Sequence, residues 1–313
     1  MRNQIYYLAR PAMPRWVQIA LRRFFVKLKI KRIAQEWPIH ENSAPPPPQW
    51  KGWPDNKQFA FVITHDVELQ IGCDRAIKLA ELDRSFGFTS SFNFVPERYT
   101  IDPSLFEKLQ AMGCEIGIHG LKHDGRLYET HNTFNARAKK INDYIKQWNV
   151  TGFRSPSMHY NLEWIADLDI NYDASTFEFD PFEPQIRGVG TIFPFIFNNH
   201  TKSYVELPYT LPQDFTVFIL MQEKSPQLWK KKLDWIAEHG GMALFITHPD
   251  YIALDSSPRR LDEYPPELYS DFLRYVKERY EGRYWHALPK EISRFWKENY
   301  SNTLAPEKLE ELN

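Results

Sequence analysis

Cysteine, unbroken apolar runs and charge imbalance are all scarce in this sequence, and each shortage removes a class of function. Only Cys73 and Cys114 occur in 313 residues, far apart and outside any C-x-x-C spacing. That excludes a disulfide framework and a cysteine zinc site, and nothing requires an oxidising compartment. No run of about eighteen apolar residues is present, so no segment has the length and character of a bilayer-spanning helix. With 39 basic and 40 acidic residues the net charge is −1, which argues against a general nucleic-acid binder. Gly-x-Gly-x-x-Gly and P-loop sequences are also missing, and with them the usual phosphate-cradling turns.

Acids are absent from the N-terminus up to Glu36, while Arg10, Arg15, Arg22, Arg23, Lys27, Lys29 and Lys31 crowd the same stretch. Trp16, Ala20, Phe24 and Leu28 recur every four residues, with Val17, Leu21 and Phe25 alongside, so a basic amphipathic helix is expected. Arg22-Arg23 and Lys27 interrupt what would be the apolar core of a signal peptide, and the segment reads as uncleaved, the protein as cytoplasmic. Two placements are open for this helix. It can lie on an anionic membrane surface, as peripheral contact through residues 12–36 at the inner face, or pack on its own domain or a subunit, the commoner fate of such helices.

Pro45 to Pro48 follow as an extended spacer, because proline fixes φ and runs of it favour polyproline II. The expected organisation is a basic helix and spacer over residues 1–50, an α/β barrel over 51–300 and a tail over 301–313. Within the barrel, strands and helices alternate. Strands are expected at Phe59–His65, Phe88–Val95, Cys114–His119, Thr151–Arg154, Ile170–Ser175, Thr191–Ile196, Tyr204–Leu207, Met242–Thr247 and Tyr284–Ala287. The intervening helices are expected at Gly72–Phe86, Asp102–Met112, Asn132–Trp148, Asn161–Leu168, Pro226–His239 and Pro266–Tyr280, with a last one opening at Pro289. Such alternation favours a barrel over a nucleotide-binding sheet.

The chemistry-bearing residues cluster at expected strand ends. Asp66 and Glu68 follow the apolar run Phe59-Ala60-Phe61-Val62; if the chain stays extended they point one way and His65 the other. His119 and His123 are four apart and share a face if the chain turns helically after its strand. Two imidazoles and one carboxylate suit zinc (Zn), cobalt (Co), nickel (Ni) or manganese (Mn), and leave a coordination position open for water.

In order and spacing these residues resemble the polysaccharide deacetylases, carbohydrate esterase family four, also called the nodulation-factor deacetylase homology domain. The match covers roughly residues 58–290 and not the N-terminal helix. The resemblance implies a distorted (β/α)7 barrel that removes N- or O-acetyl groups from glycans. Thr64-His65-Asp66-Val67-Glu68 looks like the first motif, with Asp66 as catalytic base and Glu68 as metal ligand in place of the usual Asp. His119 and His123 match the two histidine ligands, with Gly120 where Ser or Thr is usual. Arg154-Ser155-Pro156 matches the third motif, in which Arg154 pairs with the base and Pro156 shapes the groove wall. Tyr172-Asp173-Ala174-Ser175 occupies the fourth, whose Asp173 orients the acid histidine, with Asp180 in reserve. Leu244-Phe245-Ile246-Thr247-His248 matches the fifth and delivers His248 as general acid.

The implied partner is an acetylated glycan, an amino sugar of a cell-surface polysaccharide or its lipid-linked precursor. Tyr128, Tyr160, Phe177 and Tyr251, with Trp53 and Phe182, fall on expected loops where rings can stack on sugars. Relatives that lost the metal-binding acid work without metal, so a metal-independent amidohydrolase on a small cyclic amide is the enzymatic alternative. A non-catalytic glycan-binding barrel is the other.

Overall fold

The computed structural model describes residues 14–33, 36–183, 188–199 and 201–300. Residues 12 and 13 and the expected tail at 301–313 lie outside the described residues. An N-terminal helix α1 (Arg15–Ile33) precedes the barrel, whose first strand is β1 (Phe59–Val67). Every residue of β1 is buried, which is what an apolar run without alternation predicts for a parallel strand covered on both faces.

Next come α2 (Gln70–Ser85), β2 (Ser91–Phe94), α3 (Pro103–Ala111), β3 (Glu115–His119), α4 (His131–Trp148), β4 (Gly152–Arg154), α5 (Leu162–Ile165) and β5 (Tyr172–Asp173). The second half holds β6 (Phe195–Asn198), β7 (Ser203–Glu206), a π-helix (Phe215–Leu220), α6 (Gln227–Glu238), β8 (Met242–Thr247), α7 (Pro266–Tyr280), β9 (Tyr284–His286) and α8 (Pro289–Asn299). Their order in the curled sheet is β6-β7-β5-β4-β3-β2-β1-β8, parallel except for the β6/β7 pair. The start of β1 pairs with β9 through Phe59–Phe61, and its end pairs with β2 through Thr64–Val67. Between β7 and β8 the circuit is bridged by loop hydrogen bonds, with Thr210 and Leu211 both donating to the Leu244 carbonyl. The distorted-barrel expectation therefore holds.

The differences lie where the backbone has other partners. The strand expected at Ile170–Ser175 keeps only Tyr172–Asp173, because beyond it the Ala174 carbonyl accepts Arg154 Nε at 2.8 Å and Ser175 Oγ accepts the Ser155 N–H. The strand expected at Thr191–Ile196 forms later, at Phe195–Asn198, as an antiparallel partner of β7. The helix expected at Asn161–Leu168 is a single turn, capped by the Asn161 side chain and closed by the Asp167 and Leu168 N–H groups reaching three residues back.

The proline-rich stretch is laid along the barrel. Trp37 and Ser43 are buried, the Ser43 carbonyl accepts the Ile192 N–H, and Trp50 packs among Trp53, Phe193, Trp296 and Tyr300.

Candidate active site

The strand ends of β1 to β4 deliver polar side chains to one end of the barrel, the C-terminal end where such folds build sites. Asp66 sits in β1 directly opposite Asn93 of β2, and Asn93 Nδ2 donates to Asp66 Oδ1 at 2.9 Å. Arg154, the last residue of β4 and fully buried, donates from Nη1 to Asp66 Oδ1 at 3.0 Å and to Thr64 Oγ1 at 2.7 Å. Burial alone would raise the Asp66 pKa. The positive charge of Arg154, helped by His119, His248 and the Asn93 hydrogen bond, brings it down to about 2. Alternation also holds for His65. Its ring turns away from the site, 2.7 Å from Thr247 Oγ1 and 2.9 Å from Asp83 Oδ2 on α2.

His119 and His123 are brought together, though by another route than a helical turn. Gly120 has φ +63° and His123 φ +52°, so the chain doubles back in a tight loop. A Cβ on Gly120 would lie 2.3 Å from Pro156 Cγ, so the buried proline ring occupies the space that a Ser or Thr side chain would need. The two rings end with centroids 5.1 Å apart. His119 Nδ1 donates to the Arg154 carbonyl at 3.2 Å, which selects the tautomer whose Nε2 carries the lone pair. Burial pushes the His119 pKa down to about 4 against the opposing pull of Asp66, so the ring is neutral at neutral pH.

Glu68 lies just past the end of β1. Its Oε1 is 2.9 Å from His123 Nε2, and its Oε2 accepts the Tyr251 hydroxyl at 2.6 Å. Candidate ligand atoms of Glu68, His119 and His123 all lie within 4.8 Å of one another. Nε2 of both histidines is buried and makes no well-formed hydrogen bond. The buried His119 lone pair, converging with His123 Nε2 and the Glu68 carboxylate, fits a divalent cation of the kind that imidazole and carboxylate prefer. Asp250 fixes the turn that carries Glu68, since its two carboxylate oxygens accept the N–H groups of Glu68 and Leu69 at 2.9 and 2.7 Å. Burial and the nearby Glu68 push the Asp250 pKa up to about 7.

His248 follows β8, and the carboxylate that holds it is Asp214. Asp214 Oδ1 lies 2.6 Å from His248 Nδ1, and Oδ2 accepts the His248 backbone N–H at 2.9 Å and the Tyr264 hydroxyl at 3.0 Å. The expectation that Asp173, or Asp180 in reserve, orients this histidine is corrected here. Asp173 accepts from Ser175 and shares its buried environment with Glu206, while Asp180 accepts from Tyr209 and the Phe182 N–H. Burial would lower the His248 pKa, but Asp214, with Glu68 and Asp66, raises it to about 10.

The aromatic residues expected to stack on sugars are mostly structural. Phe177 is fully buried between Tyr160 and Tyr209, and Tyr128 lies against Phe134 and Trp164 with its hydroxyl on Ser155. Trp53 is buried at the opposite end of the barrel, its indole N–H on the Gly240 carbonyl, and Phe182 packs on Trp37. Tyr251 does belong to the site, as the hydrogen-bond donor to Glu68. A place on a loop after a strand does not by itself free a ring to meet a ligand, and here most of these rings extend the core. Asn93, Asp214 and Asp250 were not anticipated. Asn93 sits at the same end of the neighbouring strand as Asp66, and Asp250 is two residues past His248, so both had a positional signal. Asp214 had none: it stands 34 residues before His248 at the start of a π-helix that leaves no periodic trace.

No protein-family profile and no curated protein matches the sequence. Solved structures do match. A Mycobacterium smegmatis protein assigned as a polysaccharide deacetylase aligns with 82% of this chain and 94% of its own, at 18% identity and a TM-score of 0.61. The Puue allantoinase gives 15% identity and a TM-score of 0.61 over 82% of this chain and 95% of its own. A Pseudomonas aeruginosa PAO1 protein, also assigned as a polysaccharide deacetylase, gives 14% and 0.61 over the same shares. At these identities the likeness is one of fold, and the fold of this chain is the distorted barrel of the polysaccharide deacetylase type.

Proposed function

We propose that this chain is a metal-dependent deacetylase that hydrolyses the acetyl group, in the first place an N-acetyl group, of an amino sugar in a polysaccharide or its lipid-linked precursor. The observation that carries the reading is the division of labour around Asp66. Its carboxylate is tied to Arg154 and Asn93, while Glu68, His119 and His123 converge separately beside it. Glu68, His119 and His123 would hold a divalent cation, zinc, cobalt, nickel or manganese, which when bound polarises the acetyl carbonyl and acidifies water.

The chain's own residues do the proton work. Asp66, ionised at any ordinary pH, accepts the proton of the attacking water, and Arg154 keeps it charged and aimed through the pair to Thr64 and Ala174. His248 is held in its cationic form and gives a proton to the departing nitrogen, so that acetate and the free amine separate. Asp214 fixes the ring so that Nδ1 is occupied and Nε2 is the donor.

A metal-independent amidohydrolase on a small cyclic amide is the second reading, favoured by a fold likeness to the Puue allantoinase equal to that for the deacetylases. Acetate release is to be measured on a panel of N-acetylated glycans and lipid-linked precursors, before and after full chelation and after Zn(II) is restored. Release that chelation abolishes and Zn(II) restores supports the proposal. Acetate release that survives chelation overturns the metal dependence, and chelation-proof turnover of a small cyclic amide with no acetate release from the panel overturns the deacetylase reading in favour of the second one.

A further inference from the structure

Helix α1 presents its faces in the reverse of the usual order. Four of its seven basic side chains, those of Arg15, Arg22, Arg23 and Lys29, meet the barrel: Arg15 Nε lies 3.1 Å from Asp262 Oδ2, Arg23 Nε donates to the Ile219 carbonyl at 2.8 Å, and Lys29 donates to the Pro181 carbonyl. The guanidinium groups of Arg15 and Arg22 sit over the Phe215 ring, at 5.6 and 4.8 Å. Of the helix only Gln18, Ile19 and Val26 are buried. Its large apolar side chains face outward, with Trp16 64%, Phe25 60% and Phe24 58% exposed, beside Leu28 and Leu21.

Among the described residues, the large hydrophobic side chains left exposed are these five and Leu261. Leu261 is a neighbour of the helix, since its carbonyl accepts Arg23 Nη2 at 3.5 Å. Single exposed apolar residues scattered over a surface are ordinary, but here the set is gathered on one helix and the loop beside it. The same helix carries seven basic residues and no acid, in a chain whose net charge is −1. Lys27, Lys31 and Arg32 are themselves exposed on it.

We infer that α1 seats the protein on an anionic lipid surface. Trp16, Leu21, Phe24, Phe25, Leu28 and Leu261 enter the headgroup boundary, and Lys27, Lys31 and Arg32 meet the lipid phosphates. A second copy of the chain fits the face poorly, because pairing it with itself would bring the exposed Lys27, Lys31 and Arg32 against their own copies with no acid on either helix. No helix of the described residues is long and apolar enough to cross a membrane, so the contact is peripheral. The helix also adjoins the candidate site. Phe215, beneath Arg15 and Arg22, lies 4.8 Å from the Tyr251 ring, and the Tyr251 hydroxyl is on Glu68.

Co-sedimentation of the full chain with phosphatidylcholine vesicles, and with vesicles also containing phosphatidylglycerol, tests this without reference to activity. Binding is expected to be at least about tenfold stronger to the anionic vesicles. Phe24→Ser/Phe25→Ser and, separately, Lys27→Gln/Lys31→Gln/Arg32→Gln alter only exposed side chains. Each is expected to cut that binding by about tenfold or more with the circular dichroism spectrum unchanged. The inference is overturned if the chain ignores anionic vesicles or if the Phe24/Phe25 variant binds them as the parent does. It is overturned equally if sedimentation velocity shows a dimer that the same variant dissolves, which would assign the face to a second copy.

Discussion

Asp214 holds His248 at two points, Oδ1 on the ring Nδ1 at 2.6 Å and Oδ2 on the backbone N–H at 2.9 Å. Fixing the ring and the chain that carries it with one carboxylate sets both the direction of Nε2 and the charge of the imidazole. The raised His248 pKa, about 10, means that the acid form persists through neutral and mildly alkaline pH.

Asp214→Asn keeps the shape of the contact and removes its charge. The imidazole then titrates nearer its ordinary value of about 6.5, which leaves about 3% of it protonated at pH 8, so acetate release there should fall by about thirtyfold, and by far less at pH 6. Stability gives an independent reading. A histidine raised from about 6.5 to about 10 contributes stability that is present below 6.5 and lost as pH rises through 10. Urea unfolding of the parent should therefore show that decline and the variant should not. A variant with the parent's pH–rate profile would show that Asp214 does not set the charge of His248.

Arg154→Met tests the pair that holds the base. Asp66 and Arg154 are both buried, so removing the guanidinium leaves a carboxylate without its charge partner, at a cost of about 3–5 kcal/mol in urea unfolding at pH 7. The parent's depressed Asp66 pKa contributes stability above about 3.9 that is lost as pH falls through about 2. In the variant that acid-side loss should begin at higher pH, together with the acid limb of the rate profile. An unchanged acid limb would separate Arg154 from the ionisation of Asp66.

These two pairs mark how far sequence reaches. The Asp66–Arg154 contact was legible only through the motif resemblance, which pairs the arginine with the base; β2 and β3 stand between β1 and β4, and the long Arg154 side chain spans them. The ends of apolar runs placed His119 and His248 at strand ends. Asp214 was not legible, since its place depends on a π-helix and on a loop path that no periodicity records. Nor was the facing of α1. A period of four says that two sides of a helix differ, but which side meets protein depends on what the barrel offers, here the carbonyls of Ile219 and Pro181 and the carboxylate of Asp262. The His119–Gly120–His123 loop shows a third limit. A spacing of four fits a helix, whereas positive φ at Gly120 and His123 and contact with Pro156 bring the rings together another way.

That loop makes Gly120→Ala a sharp test. Alanine at φ +63° costs about 1–2 kcal/mol in backbone strain. The new Cβ also meets Pro156 Cγ at 2.3 Å, so the loop or the proline has to move. Thermal unfolding should show a loss of about 2 kcal/mol or more, and Zn(II) affinity by isothermal titration should fall in parallel because His119 and His123 flank the shifted residue. Full retention of affinity would show that the two histidines do not act through this loop geometry.

Tyr251→Phe asks whether Glu68 is held for a ligand's role. The hydroxyl donates to Oε2 at 2.6 Å while Oε1 faces His123, so Tyr251 fixes the carboxylate from the side away from the imidazoles. Losing one such outer hydrogen bond ordinarily weakens a metal site by about 10- to 100-fold, and Zn(II) affinity should fall within that range. The ring is retained and only the hydroxyl goes, so the fold should persist and the packing on Phe215 and His248 should remain. If Glu68 is instead a structural acid that merely packs against His123, Zn(II) affinity would be unchanged. The loss would then appear only in unfolding free energy, because a partly unpaired buried carboxylate destabilises the fold whether or not a cation is present.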